Sequence, residues 1–132
     1  MILAIGERFN QATWAPNDID SFKLRKQMGI YNYGSRAEFL KRIGVRWDHG
    51  INLLWPDPTP GAWDAIEAKR VAAVLRPYIE RYDLVLLFGP RVCDALNVPF
   101  KVGVKFGRYV PLPHPVGNMK MWDKTFIRSL FS

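Results

Sequence analysis

Short apolar runs alternate along the chain with longer polar or amphipathic stretches. The apolar runs are MILAIG at 1–6, GINLLW at 50–55, DLVLLFG at 83–89 and the weaker GRYVPLPHP at 107–115. Short runs that are apolar throughout, rather than alternating, are typical of strands buried on both faces of a parallel sheet. The pattern therefore predicts four buried strands, and it predicts a long loop over 7–20, where the residues are mainly polar.

Helical signals fill the stretches between these runs. SRAEFLKRIG at 35–44 predicts a helix with Ser35 as N-cap, Glu38 completing a capping box and Gly44 as terminator. Thr59 and Pro60 predict the start of the next helix, with proline at its first helical position. The apolar side chains of that helix recur at helical spacing and are Val71, Val74, Leu75, Tyr78, Ile79 and Tyr82.

Pro77 interrupts this pattern and predicts a kink or a restart of the helix. PRVCDAL at 90–96 predicts the start of a third helix, and DKTFIRSLF at 123–131 predicts a last one. Strands and helices thus alternate through the whole chain. This order predicts an α/β fold with a mostly parallel sheet covered on both faces, and 132 residues suffice for one such domain.

Ligands of parallel α/β sheets bind beyond the carboxyl ends of the strands, so the segments that follow the strands are the informative ones. These segments are GERFN at 6–10, WPDP at 55–58, GPR at 89–91 and HPVGN at 114–118. Because parallel strands end at one edge of a sheet, the four segments are expected to converge there. His114, which stands between two prolines, belongs to this group.

The balance of charge favours an anionic partner. The net charge is +7, and residues 101–132 carry six basic side chains against one acid, Asp123. A strongly basic protein favours nucleic acid as its partner. The basic residues of 101–132 form either an ordinary solvated surface or a phosphate-contacting edge beside His114.

Other classes of function are disfavoured by composition. The single cysteine, Cys93, cannot form a disulfide within the chain or hold zinc or an iron–sulfur cluster by itself. No apolar run is long enough to cross a bilayer, and MILAIGERFN lacks the pattern of a signal peptide. We therefore expect an intracellular protein with no membrane partner and no metal.

The strand-end segments together resemble the uracil-DNA glycosylase superfamily, in particular its small phage and bacterial members. The motifs that carry the resemblance are IGE at 5–7, GINLLWPDPTPGAWD at 50–64, VLLFG at 85–89 and HPVG at 114–117. They occur in the family's order and span almost the whole chain.

The resemblance implies a single domain over 1–132, a three-layer α/β/α sandwich around a mostly parallel four-stranded sheet. It also implies a monomer without cofactor, in the cytoplasm close to the DNA of a bacterial or phage-infected cell. Such an enzyme flips a damaged or modified base out of the stack and hydrolyses its N-glycosidic bond.

His114 matches the histidine of the family's HPS loop. The N–H of an imidazole near the base carbonyl stabilises the negative charge of the leaving base. Prolines on both sides fix the backbone, as a preorganised donor requires. The alternative is a histidine that is exposed or satisfied by packing.

Gly6 and Glu7 match the glycine-led first motif of the family. Arg8 stands where some branches have an Asp or Asn that positions the attacking water, and arginine does not act as a general base. Either Glu7 supplies the carboxylate, Asn10 orients the water, or the activity differs. Phe9 could stack on a flipped base, while Glu7 and Arg8 could instead form a loop ion pair.

Asn52 matches the asparagine that reads the edge of the flipped base, because an amide offers both an acceptor and donors. An asparagine that caps the end of a strand is the alternative. Trp55 could form a wall of the base pocket, or it could belong to the core.

DNA contacts are expected at two further places. Gly89 and Arg91 open the helix after the third strand, where a phosphate is favoured. The resemblance also implies that the stretch after His114 enters the minor groove, with a methionine as wedge and a lysine on phosphate. Its residues are Gly117, Asn118, Met119, Lys120 and Met121.

Two other functions remain open. With Arg8 in the first motif and Val116 in place of the serine of the HPS loop, the protein could bind DNA or a modified base, or serve base modification, without cleavage. A small α/β protein that binds free nucleotides is the third possibility, although the chain lacks both common Gly-rich phosphate loops.

Overall fold

The computed structural model describes residues 1–8, 22, 25–26, 47–54 and 62–113. These residues contain the strands β1 (Ile2–Arg8), β2 (His49–Leu54), β3 (Leu84–Phe88) and β4 (Tyr109–Leu112). They also contain the helices α1 (Ala65–Ile79) and α2 (Pro90–Ala95). All four predicted strands are present, and the α/β class predicted from the alternation of elements is confirmed.

The strands form one sheet in the order β2-β1-β3-β4, and every neighbouring pair is parallel. The sheet is therefore wholly parallel, where the order of elements predicted a mostly parallel one. From β1 the chain moves to one side to form β2 and then returns to the other side for β3. The carboxyl ends of β1 and β3 thus form the switch point at which doubly wound sheets usually bind ligands.

Both described helices cover the same face of the sheet. Leu3 and Ile5 of β1 and Val85 and Leu87 of β3 share one core with the buried side chains of α1 and α2. Side chains on the opposite face, such as Leu86 and Val110, are fully buried as well. The helices predicted at 35–44 and 123–131 lie outside the described residues. Helices α1 and α2 form one of the two helical layers that the expected three-layer sandwich requires.

Helix α1 begins later than the sequence predicted. Its N-cap is Asp64, whose Oδ1 accepts a hydrogen bond of 3.0 Å from the Glu67 backbone N–H. Residues 62–64 are not helical, so the predicted start at Thr59 and Pro60 was wrong. The Asp64 carboxylate thus satisfies a backbone N–H of the first turn, while the Glu67 carboxylate accepts hydrogen bonds from Arg70.

Pro77 does not restart α1, which continues unbroken to Ile79. A proline in the last turn loses few helical hydrogen bonds, because the chain beyond it is already leaving the helix. The predicted apolar stripe was only partly right, since Val74 and Tyr78 are each 43% exposed. The buried stripe consists of Ala68, Val71, Ala72, Leu75 and Ile79.

Strand β1 extends two residues beyond the run that predicted it. Glu7 and Arg8 belong to the strand, and Arg8 pairs in register with Leu54 at the end of β2. The predicted loop therefore does not begin at Glu7. Pairing with β2 gives hydrogen-bond partners to the backbone of this segment. The polar side chains of Glu7 and Arg8 gave no sign that the strand continues through them.

Within the part of the chain described above, no helix combines the length and the apolar character needed to span a bilayer.

Candidate functional site

The first-motif residues and those after the third strand meet at the switch point. Gly6, Glu7 and Arg8 end β1, while Gly89 directly follows β3 and Arg91 stands in the first turn of α2. Since β1 and β3 are neighbours, residues more than eighty positions apart in the chain lie at one edge of the sheet.

Glu7 and Arg91 face each other across this edge. The distance between Glu7 Oε2 and Arg91 Nη1 is 4.0 Å, and the two side chains are 19% and 48% exposed. An ion pair of this length and exposure contributes only about 0–1 kcal/mol to stability. Glu7 and Arg91 thus place a carboxylate beside a guanidinium at the carboxyl edge of the sheet, and such a pair is able to orient water.

Trp63 completes this cluster and was missed by the sequence reasoning. The guanidinium carbon of Arg91 lies 5.6 Å from the centroid of the Trp63 ring, within the range of a cation–π interaction. Trp63 is partly buried against the core. The sequence predicted a helix from Thr59 onward, so Trp63 was expected to lie inside that helix. In the structure, Trp63 precedes the first residue of α1 by two positions.

Arg8 anchors the segment that leads into α1. Its Nη2 donates a hydrogen bond of 2.7 Å to the backbone oxygen of Ala62. An open groove of about 430 Å³ lies beside this contact. The groove is lined by Arg8, Ala62, Trp63, Asp64, Ala65 and Ile66.

Ile66 makes this groove unusual for a solvent-exposed surface. Its side chain is 85% exposed at the start of α1, although exposure of a large aliphatic side chain loses the free energy that burial would supply. The groove thus joins the Arg8 guanidinium, the Trp63 indole, the Asp64 carboxylate and an exposed aliphatic side chain.

Asn52 lies beside Gly6, its partner in the register of β1 and β2. The two predicted motifs are therefore adjacent in the sheet. Because side chains alternate along a strand, Asn52 shares the face of Gly6, and Glu7 projects from the opposite face. Asn52 is only 4% exposed, so its amide is buried at the strand end and does not stand on the outer rim.

Arg25 is a second residue that the sequence did not single out. It is fully buried, and its Nη1 donates hydrogen bonds of 2.8 Å to Asn52 O and 2.7 Å to Leu53 O. A buried guanidinium requires such partners, because its desolvation is costly. Arg25 therefore holds the backbone of β2 at Asn52, and nothing in the local sequence distinguishes it from the exposed basic residues of the chain.

Gly89 is a backbone feature of the site rather than a ligand-binding group. Its φ of 95° and ψ of 160° fall in a region that is nearly exclusive to glycine. Its N–H donates to Leu112 O at 2.8 Å, and Pro90 has no N–H to offer. Since α2 has only six residues, the predicted phosphate contact at this place rests on the Arg91 side chain.

The remaining predicted site residues lie outside the described part of the chain. They are Phe9, Asn10, Trp55, His114, Gly117, Asn118, Met119, Lys120 and Met121. Strand β4 ends at Leu112, so the chain leaves the sheet at the carboxyl edge two residues before His114. The predicted role of each remains a prediction.

The described residues show no group of three or more histidine, cysteine, aspartate or glutamate side chains that could hold a metal ion. Cys93 is buried in α2, and burial raises the pKa of its thiol to about 11. A thiol with this pKa is almost wholly protonated at neutral pH, so Cys93 packs in the core and does not serve as a nucleophile.

A second polar cluster lies at the opposite, amino-terminal end of the strands. His49 Nδ1 is 2.8 Å from the hydroxyl oxygen of Tyr82. Burial lowers the pKa of His49, nearby Lys26 lowers it further, and Asp48 partly offsets these effects. Burial likewise raises the pKa of Tyr82. This pair connects β2 to the end of α1, far along the strands from the candidate site.

Arg108 also has a structural role at that end of the sheet. Its Nη1 donates to the backbone oxygens of Glu80 and Tyr82, just beyond the last turn of α1. A cation suits the carbonyl end of a helix. Of the basic residues that were considered for a phosphate-contacting edge, Arg108 thus serves the fold.

A scan against protein-family models, a search of curated proteins and a search of solved structures each found no match. The resemblance to the uracil-DNA glycosylase superfamily consequently rests on the motifs in the sequence alone.

Proposed function

We propose that the protein is a monofunctional DNA N-glycosylase that flips a damaged or modified base and hydrolyses its N-glycosidic bond. The observation that carries the proposal is the adjacency of the first two motifs. Gly6 and Asn52 pair across β1 and β2, and Glu7 follows at the switch point beside Arg91. In the family, an Asp or Asn at the position of Arg8 orients the attacking water, and in this proposal the Glu7 carboxylate takes that role.

In the proposed reaction, the bond between the sugar C1′ and the base nitrogen breaks, and the base leaves with the electron pair. Water attacks C1′ and loses a proton to Glu7, as in general base catalysis. His114 stabilises the leaving base by donating a hydrogen bond. Asn52 reads the edge of that base from the face of the sheet opposite to Glu7, across the carboxyl ends of the strands. Trp63 offers an aromatic face near the groove for the base or its neighbour.

The net charge of +7 supports DNA as the substrate. The proposal places a monomeric enzyme, without metal or cofactor, in the cytoplasm close to DNA. It leaves uracil, hydroxymethyluracil and hypoxanthine as candidate bases.

A strand-cleavage assay tests the proposal. Labelled single-stranded and duplex oligonucleotides carry each candidate base or a normal base, and alkali converts abasic sites into breaks. We expect breaks at one modified base only. His114→Ala and Asn52→Ala should lose excision while Lys69→Ala, an exposed change on α1, should not, and thermal unfolding of each variant controls for folding. Excision that survives both site substitutions would show that the site lies elsewhere.

A second function is favoured by the contacts of the two charged residues that end β1. The Arg8 side chain is used to bind Ala62 O, and the Glu7 carboxylate lies 4.0 Å from the Arg91 guanidinium. These contacts would suit a protein that binds DNA or a modified base without cleaving it. Absence of breaks at every base, together with retained binding to the same oligonucleotides, would select this function over the enzyme.

A further inference from the structure

An exposed apolar cluster interleaved with lysines lies between α2 and β4. Within the described residues, the exposed large apolar side chains include Phe100 at 40%, Val102 at 42% and Val104 at 43%. Lys101 and Lys105 alternate with them and are exposed too. We call residues 99–105 the basic-apolar loop.

The backbone of this loop is well defined. Val104 N–H donates to Lys101 O at 3.1 Å, and Gly103 at the third position of this turn has a φ of 77°. These are the features of a type II turn, which requires a positive φ at that position. Val102 therefore lies at the tip of a hydrogen-bonded turn, and the turn fixes its exposed position.

The position of the loop connects it to the candidate site. Gly103 N–H donates to Pro111 O at 2.9 Å, and Gly89 N–H donates to Leu112 O at 2.8 Å. The basic-apolar loop and the start of α2 thus bind consecutive carbonyl groups at the carboxyl end of β4. The loop and Arg91 flank the place where the chain leaves the sheet toward His114.

The charge of this region is of one sign. Residues 96–112 contain three basic side chains and no aspartate or glutamate. Because Arg108 is bound to carbonyl groups at the end of α1, Lys101 and Lys105 supply the outward positive charge. Apolar exposure loses stabilisation that burial would give, and this surface is complementary to a partner that is partly apolar and anionic.

We propose that the basic-apolar loop binds single-stranded DNA that runs past the candidate site. Unpaired bases present apolar faces that stack on an aromatic ring, and the strand carries regular phosphates between them. Phe100 stacks on a base, Val102 and Val104 contact sugars and base edges, and Lys101 and Lys105 contact phosphates. This inference rests on the proposed function in taking DNA as the partner, and it adds the strand state and the surface.

Fluorescence anisotropy with a labelled oligothymidylate tests the surface, because this probe contains no excisable base. Lys101→Ala/Lys105→Ala should weaken binding and reduce the slope of log K against log salt by about 1.4, since each phosphate contact on a single strand contributes about 0.7. Phe100→Ala should weaken binding about tenfold, as expected for one stacked base. The matched control is Lys69→Ala/Arg81→Ala, which removes the same charge from α1 and the turn after it.

Equal losses in the control and in the loop variants would overturn the proposal, because charge alone would then explain binding. Tighter binding to duplex than to single-stranded DNA would also overturn it. So would loop-dependent binding to phosphatidylserine vesicles without binding to the oligonucleotide. If the protein excises a base but the loop variants bind the oligonucleotide as wild type does, only the proposed role of the loop is refuted. If the loop variants bind more weakly but no base is excised, only the proposed enzyme is refuted.

Discussion

Replacement of Glu7 by glutamine separates a catalytic carboxylate from a merely structural one. Glutamine keeps the size and hydrogen-bonding capacity of the side chain while it removes the charge. In the structure, that charge lies 4.0 Å from Arg91. The substitution therefore removes one ion pair and, under the proposed function, the base that accepts the proton of the attacking water.

The two effects differ greatly in expected size. Two unit charges at this distance interact by about 1 kcal/mol in water and about 4 kcal/mol at an effective dielectric constant of 20. Because Arg91 is nearly half exposed, solvent screening brings the expected loss of stability to about 1 kcal/mol or less. A lost general base, by contrast, lowers the rate by a factor of about 100 to 10,000.

The assay measures single-turnover excision at saturating enzyme, together with thermal unfolding. We expect Glu7→Gln to lower the melting temperature by no more than about 4 °C while excision falls at least about a hundredfold. Arg91→Gln is the matched control, since it breaks the same ion pair and keeps the carboxylate. It also loses the cation–π contact with Trp63, so its stability should fall by about 1–2 kcal/mol, and excision at saturating enzyme should remain within about tenfold of wild type.

Two results would refute this reasoning. Glu7→Gln with wild-type excision would show that the carboxylate takes no proton in the reaction. A loss of stability of several kcal/mol would show that Glu7 supports the fold through contacts stronger than a partly exposed ion pair, and the fall in excision rate could then be explained by the loss of folding.

Three further predictions concern the fold. Asp64→Ala should destabilise the protein by about 1 kcal/mol in urea unfolding, because the cap on Glu67 N–H is lost, whereas an equal loss in Asp64→Asn, which keeps a capping oxygen, would contradict that cause. Cys93, with a thiol pKa raised to about 11 by burial, should react with a thiol reagent in denaturant and very slowly in the native protein, and rapid native labelling would show that the core opens there. The pKa of His49 is lowered from 6.5 in the folded protein, so the contribution of His49 to stability is present above pH 6.5 and is lost as pH falls through the folded pKa. Unfolding measured between pH 7 and pH 5 should show this loss of stability in wild type and a smaller loss in His49→Gln. Identical pH profiles of the two proteins would exclude His49 as the source.

The strands were predictable because their signal is local. GINLLW and DLVLLFG are apolar enough to be buried on both faces, and β2 and β3 formed where those runs stand, while β4 formed within the run GRYVPLPHP. Errors occurred where a local signal had a competitor. Thr59 followed by Pro60 fits a helix start, but Asp64 followed by Glu67 fits it as well and is the pair that caps α1.

The candidate site was predictable in part for the same reason. Segments that follow parallel strands must converge, so Glu7 and Arg91 could be expected at one edge. Their contact with each other could not, because it depends on β1 and β3 being neighbours in the sheet. Trp63 and Arg25 had no signal of their own, since tryptophan and arginine are equally compatible with surface, core and site until the chain packs.

The sequence by itself determined the class of fold, the strands and the edge at which the chemistry should lie. These follow from hydrophobic runs and from the geometry of parallel sheets, which act over a few residues at a time. Only the tertiary structure decided the strand order, the pairing of Gly6 with Asn52 and the burial of Arg25 against β2. Such contacts join positions far apart in the chain, and their free energies depend on distance and solvent exposure, which no local pattern specifies.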